Sequence, residues 1–349
     1  MSNQVSSELS ITPSSWGLHN FRPMLSGRLE EGTFSKLRIS GQNPYVASPK
    51  LDGIRMLIHP DPKIGACSRS LKSIPNRALF KYIAALTRRF PRVLGLDGEI
   101  TAGPIENVTH PKIFNQTTSA VMSFEGNPDT TQFTYIVFDK FYDSNIPTFN
   151  SCPYKIRYKH MTELVGQANF HVKDLGIPIH IYALPQIEVV DLEELADLET
   201  KYLVEGYEGL MLRHPETPYK FGRSSVTATK PHLLKLKRFE DAEATIIGFE
   251  ELMHNENAIT RDAFGLIERS SALANLHGGN TLGALIVRVT TGNYANTILR
   301  IGTGFNAVTR ENIWRQPLGY LNRIVNFRYQ AVGSINAPRF PAFRGFRLD

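Results

Sequence analysis

The chain has 349 residues, 42% apolar and 21% charged, with a formal net charge of +6. That is length enough for two domains with real cores, and the composition excludes the disordered and fibrous classes. Its 2 cysteines, Cys67 and Cys152, are too few and too separated for a disulfide framework or a zinc site, no run approaches about 18 apolar residues, and Met1 to Ser10 lacks the basic and apolar regions of a signal peptide. A soluble, cytoplasmic protein with no membrane partner is expected, and its modest positive excess suits a polyanion.

Residues 1–20 are rich in serine and other polar side chains and read as a flexible N-terminal arm. From Tyr45 onward, short apolar runs alternate with turn signals, which predicts strands over Arg55 to His59, Val93 to Leu96, Phe133 to Phe138 and Gly209 to Leu212. Helices are expected between them. Asn76 to Phe90 carries Leu79, Ile83, Leu86 and Phe90 on one face behind an asparagine able to cap it; Tyr154 to Gln167 and Asp191 to Tyr202 are the others. Arg88, Arg89 and Arg92 are read as a solvated end placed favourably against the helix dipole.

The composition changes after Lys237-Arg238-Phe239. Strands over Ala244 to Phe249, Gly283 to Val289, Thr297 to Ile301 and Ile324 to Ala331, with little helix between, predict a small five-stranded barrel of the OB type. Gly302-Thr303-Gly304-Phe305 lacks the glycine spacing and lysine of a phosphate loop and reads as a turn, and His277-Gly278-Gly279-Asn280 reads as a flexible turn. The connection from Glu250 to Thr281 is too long for a plain hairpin.

Chemistry concentrates in Pro49-Lys50-Leu51-Asp52-Gly53-Ile54-Arg55. Lys50 is a candidate amine nucleophile, which must shed its proton before it attacks. Asp52 can position a ribose hydroxyl or a nucleic-acid end, Gly53 lets the backbone approach a phosphate, and Arg55 offers a planar fork to phosphate oxygens. A bare Lys-x-Asp-Gly match also fits an ordinary surface loop. Further blocks follow in order: Ser68-Arg69-Ser70, Leu96-Asp97-Gly98-Glu99, Tyr135-Ile136-Val137-Phe138-Asp139, Glu208-Gly209-Leu210-Met211-Leu212-Arg213 and Leu234-Lys235-Leu236-Lys237.

Together these blocks resemble those of the covalent nucleotidyltransferases, specifically compact ATP-dependent DNA ligases of viruses and bacteriophages, with the chlorella-virus type nearest in wording. The similarity runs from about Pro44 to the last residue. It implies an α+β chain, with an N-terminal nucleotidyltransferase (adenylation, ATP-grasp-like) domain at 21–239 and a C-terminal OB-fold β-barrel at 240–349. Asp262-Ala263-Phe264-Gly265 and Glu268-Arg269-Ser270-Ser271 resemble a latch around DNA, giving an insertion at 252–280. The implied activity is sealing of nicks in duplex DNA, in repair, replication or recombination, by a monomer using ATP and Mg²⁺.

The resemblance also distributes roles. Lys50 would form the phosphoramidate with AMP; Ser48, Arg55, Glu99, Phe138, Glu208, Lys235 and Lys237 would bind the nucleotide, Phe138 by stacking on adenine. Glu99 and Glu208 would position the metal. Asp52, Arg55 and Arg69 would hold the DNA end, and Arg347 and Asp349, in the run from Arg339 to Asp349, would orient pyrophosphate in the first step. An RNA ligase or an mRNA-capping guanylyltransferase shares the lysyl-nucleotide chemistry, but Phe114 to Met122 matches DNA-ligase wording. An inactive DNA-binding protein on this scaffold is the remaining alternative, opposed by the intact Lys50, Glu99, Glu208, Lys235 and Lys237.

Overall fold

The computed structural model describes residues 18, 20–29, 37–127, 130–237, 239–257, 259–261, 267–269, 276–330 and 338–347. The chain divides into two units, Met1–Lys237 and Arg238–Asp349. The first contains strands β1 (Gly27–Leu29), β2 (Tyr45–Pro49), β3 (Ile54–Ile58), β4 (Ala66–Cys67), β5 (Leu96–Ala102), β6 (Phe133–Lys140), β7 (Ile179–Ala183), β8 (Ile187–Val189), β9 (Leu210–Arg213) and β10 (Leu233–Leu236). Its helices are α1 (Arg77–Arg89), α2 (Ile113–Val121), α3 (Tyr154–Asp174) and α4 (Leu192–Val204).

Local chemistry explains most of these boundaries. The Asn76 side chain accepts from the Leu79 N–H at 2.8 Å, capping α1 as its sequence predicts, and Leu79, Ile83 and Leu86 are buried beneath it. Helix α3 continues past Gln167 because Ala168 and Val172 prolong its buried stripe. The strand expected at Val93 to Leu96 is displaced: Pro91–Val93 is a 3-10 turn, and β5 runs on from Leu96 through Asp97-Gly98-Glu99. Gly98 is a true strand residue, since a Cβ there would meet the Ile136 carbonyl oxygen at 2.5 Å.

Two five-stranded sheets organise this unit, in the orders β4-β3-β5-β6-β7 and β1-β10-β9-β2-β8. In the first, Met56, Ile58, Ile100, Tyr135 and Val137 pack against α1, α2 and α3. In the second, Tyr45, Ala47, Leu210, Leu212, Leu234 and Leu236 form a core with Leu195, Leu198 and Tyr202 of α4. Alternation along the strands therefore sends Ser48, Met211, Arg213 and Lys235 to the opposite face of the second sheet, as the pairs Ser48↔Met211 and Lys235↔Met211 require.

A bulge breaks the alternation in β6. The pairing passes from Asp97↔Asp139 to Gly98↔Val137, which leaves Phe138 as the extra residue. Phe138 and Asp139 consequently serve the same side. The fully buried Asp139 carboxylate accepts from Arg157 Nε and Nη2 of α3 at 2.9 and 3.0 Å and from Arg213 Nη1 of β9 at 2.5 Å, so it ties the two sheets and a helix together. Burial alone would raise its pKa, but the two guanidinium groups hold it below the ordinary carboxylate value.

The second unit is built from β11 (Glu240–Asn255), β12 (Ile259–Arg261), β13 (Ile267–Arg269), β14 (Leu276–Val289), β15 (Ile298–Ile301), α5 (Ala307–Arg315), β16 (Ile324–Gln330) and β17 (Arg339–Phe346). Its five-stranded antiparallel sheet has the order β15-β14-β11-β16-β17 around a core that includes Ile246, Leu285, Val287, Val325 and Phe327. The fold is OB-like. The expected barrel is less complete than its sequence suggests, for among the described residues the edge strands meet through one bridge, Thr303↔Ala342, with the Phe343 N–H donating to the Thr303 carbonyl at 2.9 Å. Gly304, at φ +92°, makes the turn beside it.

Strands β11 and β14 pair as far as Asn255↔Leu276, so the ends of 252–280 prolong them as a ribbon, while β12 and β13 pair with each other. Asp262-Ala263-Phe264-Gly265 and Ser270-Ser271 lie outside the described residues. His277-Gly278-Gly279-Asn280 is strand, not the turn its glycines suggest: a Cβ on Gly278 would collide with the Glu251 carboxylate of the paired strand. No lysine follows Lys237, so every lysine belongs to the first unit. Among the described residues no helix is long and apolar enough to cross a membrane.

Removing the shared carboxylate should be costly. Asp139→Ala leaves Arg157 and Arg213 buried without their counter-charge and is expected to destabilise the first unit by about 3–5 kcal/mol, measured as a lower urea midpoint; a change under about 1 kcal/mol would show that the cluster does not hold the sheets together.

Candidate active site

The pairing of β2 with β9 continues one residue beyond Pro49↔Leu210. The Lys50 N–H donates to the Gly209 carbonyl at 2.9 Å and the Glu208 N–H to the Lys50 carbonyl at 3.4 Å. Gly209 has φ +135° with the Leu236 carbonyl directly behind it, a position that no side chain could occupy. This backbone brings the 4% exposed Glu208 carboxylate against Lys50 Nζ. Lys237 Nζ donates to the same carboxylate at 3.3 and 3.4 Å. Lys235 follows on the same face of β10; burial first, then Lys50, Arg223 and Arg28, lowers its pKa, against a smaller raising effect from Glu208. The Lys50 side chain keeps 22% of its surface exposed, so a ligand can reach it.

The first sheet contributes the facing groups. Arg55 and Glu99 are directly paired on β3 and β5. Glu99 is raised to about 7, by burial first; Lys50 and Arg55 oppose the shift, and Asp97 and Asp52 add to it. A Cβ on Gly53 would meet the Ile100 carbonyl oxygen at 2.6 Å and Glu99 Cγ at 2.9 Å. Its glycine is thus demanded by packing onto β5, where the sequence suggests approach to a phosphate.

Arg55 is held differently from its sequence expectation. Its Nε and Nη2 donate to the fully buried Asp97 at 2.8 and 2.6 Å, and its Nη1 to the Met24 carbonyl at 2.6 Å. Tyr219 completes the arrangement, donating its hydroxyl to Asp97 at 2.7 Å and accepting from the Met24 N–H at 3.1 Å. The fork assigned to phosphate oxygens is therefore occupied by a carboxylate. The half-buried Phe138 ring has the Arg55 and Arg213 guanidinium carbons each 5.5 Å from its centroid.

Ser48 (3% exposed), Lys50, Glu208, Lys235 and Lys237 thus come from the second sheet and its ends, and Arg55, Glu99 and Phe138 from the first. Asp52, half-buried in the loop between the sheets, is close enough to Glu99 to influence it. Arg69 lies in an exposed turn after β4 and joins this cluster through no contact among the described residues. Arg347 belongs to the second unit, where its Nη1 donates to Glu243 at 3.0 Å, and Asp349 lies outside the described residues. Sequence reasoning quoted Asp97, Asp139 and Arg213 inside its blocks without giving them roles, and no local signal pointed to Tyr219 or Met24.

An amine nucleophile, two more cations, a buried acid opposite and an aromatic platform beside two guanidinium groups form a site suited to attack on a nucleotide phosphate. Residues 23–237 match the family model described as ATP dependent DNA ligase domain, and 278–347 match that of a DNA ligase OB-like domain. The DNA ligase of African swine fever virus (isolate Pig/Kenya/KEN-50/1950) is 28% identical over 123 residues, which is 35% of this chain and 26% of that protein. The probable DNA ligase of Kineococcus radiotolerans is 24% identical over 214 residues, 60% of this chain and 38% of that one, so the matches span well under half the length of these curated relatives. Among solved structures, a Chlorella virus DNA ligase-adenylate is 30% identical, with a TM-score of 0.49, over 94% of this chain and 99% of that chain. A Lig E DNA ligase structure, 21% identical with a TM-score of 0.60 over 93% and 99% of the two chains, shares the fold. With more than half of its residues matched by the first model, this chain belongs to the ATP-dependent DNA ligases.

Proposed function

We propose that this protein seals nicks in duplex DNA with ATP, through AMP carried covalently on Lys50. The contact of Lys50 Nζ with Glu208, with Lys235 and Lys237 alongside, carries the proposal. In the first step the Lys50 amine, released from Glu208 and deprotonated, attacks the α-phosphorus of ATP; an N–P bond forms and pyrophosphate leaves. Lys235 and Lys237 stabilise negative charge developing on the phosphoryl oxygens. Adenine stacks on Phe138 beside Ser48, and Arg55 meets the nucleotide with the edge that Asp97 and Met24 leave. Arg347 and Asp349 are proposed to orient the pyrophosphate.

The second step moves AMP from Lys50 to the 5′-phosphate at the nick, with Asp52, Arg55 and Arg69 as the groups proposed to hold the DNA end. In the third, the neighbouring 3′-hydroxyl attacks that phosphate and AMP departs. Splitting the reaction provides a leaving group that a bare 5′-phosphate lacks. The insertion at 252–280 is proposed to close on duplex DNA, with the protein acting as a monomer.

Glu99 and Glu208 suit Mg²⁺: both offer hard carboxylate oxygens, and at the buried Glu99, raised to about 7, Lys50 and Arg55 only partly offset burial, so a bound cation would further favour its ionised form. Bound with the nucleotide, Mg²⁺ would neutralise phosphate oxygens electrostatically.

Incubation with labelled ATP or GTP, followed by denaturing electrophoresis, tests the reading. Protein-bound label from ATP is expected; label from GTP alone would favour a capping enzyme, and no label from either would overturn lysyl-nucleotide chemistry. Lys50→Ala should abolish the adduct yet seal a nick that already carries 5′-AMP, and adduct at normal levels would remove Lys50 as nucleophile. Lys235→Ala or Lys237→Ala should slow adduct formation by roughly 10²-fold, the scale of one lost electrostatic donor, and an unchanged rate would place that lysine outside the site.

Glu99 gives a pH-dependent outcome. Its folded pKa, about 7, lies above the ordinary 4.5, so between those values the folded chain binds more protons than the unfolded one and loses stability as pH rises. Glu99→Gln should therefore raise the Tm at pH 8 and change it little at pH 4.5, while adenylation falls. Equal Tm shifts at the two pH values would contradict the strained carboxylate.

A further inference from the structure

One buried acceptor near Phe138 is not used by the chemistry above. Gln186 Oε1 is buried with no hydrogen-bond partner, an unusual state for an amide oxygen, which ordinarily fills its lone pairs. Its position is set by two ladders. β8 pairs with β2 as far as Ala47↔Ile187, so Gln186 precedes β8 at the end of the ladder where Ser48 follows in β2. β7 pairs with β6 through Val137↔Ala183, and the Leu184 N–H donates to the Val137 carbonyl at 2.8 Å, which brings this segment beside Phe138. Leu184 and Phe138 also pack in one apolar cluster with Leu51.

The orientation of the amide is fixed as well. Gln186 Nε2 donates to the Leu184 carbonyl at 3.4 Å, and that carbonyl also accepts from the Tyr158 hydroxyl at 2.9 Å. Reversing the amide would turn its oxygen on the Leu184 carbonyl, so the end left without a partner is the acceptor.

We infer that Gln186 determines base specificity by accepting a hydrogen bond from the exocyclic amine of adenine, and that the Leu184 carbonyl, by holding its Nε2, makes it select a 6-amino over a 6-oxo purine. The inference rests on the proposed stacking of adenine at Phe138. A 6-oxo group would face the amide oxygen as a second acceptor, adding repulsion to the missing hydrogen bond.

The test compares protein-nucleotide formation from ATP and from inosine triphosphate. Gln186→Met keeps the volume but removes the acceptor. It should raise KM for ATP about 10-fold with kcat little changed, lower KM for inosine triphosphate by relieving the acceptor–acceptor repulsion, and preserve sealing of a pre-adenylated nick. A merely structural role would impair both nucleotides and the sealing step alike. With wild-type protein, purine riboside triphosphate, which lacks the 6-amino group, should also show a KM about 10-fold above that of ATP. An unchanged ATP preference in the variant, or equal wild-type use of ATP and purine riboside triphosphate, overturns the assignment. Failure of the wild-type chain to form any adduct would defeat the ligase reading and this inference together, whereas adduct formation with unaltered preference removes this one alone.

Discussion

Two carboxylates with no access to water, Asp97 and Asp139, govern the geometry of the first unit. A buried carboxylate without a counter-charge is too costly to keep, so each fixes the guanidinium group that neutralises it. Asp97 fixes Arg55, and Asp139 fixes Arg157 and Arg213. Because the bulge in β6 places Asp139 opposite Asp97 with Phe138 as the extra residue, the neutralising Arg55 and Arg213 both arrive beside that ring. The aromatic platform, the tie between the sheets and the anchoring of Met24 all follow from this pair of acids.

Charge is divided between the sheets in a way that suits a nucleotide. Lys50, Lys235 and Lys237 surround a single buried carboxylate, Glu208, on the second sheet, whereas Glu99 and Asp52 approach from the first sheet and the loop that leaves it. The cationic side can receive phosphate oxygens and the acidic side a cation or ribose hydroxyls. Neither side is relaxed without a ligand: burial weakens the charged form of Lys235 and also that of Glu99. Stability is given up at such positions in exchange for affinity, a familiar property of binding sites.

Side-chain periodicity made the helices and the apolar strands legible in the sequence. Asn76 announced α1 because its amide oxygen can accept from a free N–H in the first helical turn, and the geometry agrees. Glycines misled where they usually end a strand: Gly98 and Gly278 lie within β5 and β14, and at Gly98 the Ile136 carbonyl fills the space of a Cβ. Ordered motifs made Lys50, Glu208 and Lys237 legible as one cluster, but the commitment of Arg55 to Asp97 was not, because it depends on Tyr219, which is distant in sequence. The bulge at Phe138 left no trace that alternation could detect, and Gln186 emerged only once strand register was known.

The restriction of lysine to the first unit has a chemical consequence. In the second unit the basic side chains that can meet phosphate are guanidinium groups, which stay protonated in proteins and are no nucleophiles. Positive charge on that unit is thereby supplied without an amine able to compete for an activated nucleotide. The same partition would confine amine-acylating reagents to one side of the Lys237–Arg238 boundary, and a protease specific for lysine would make its last cut there, releasing 238–349 as a single piece.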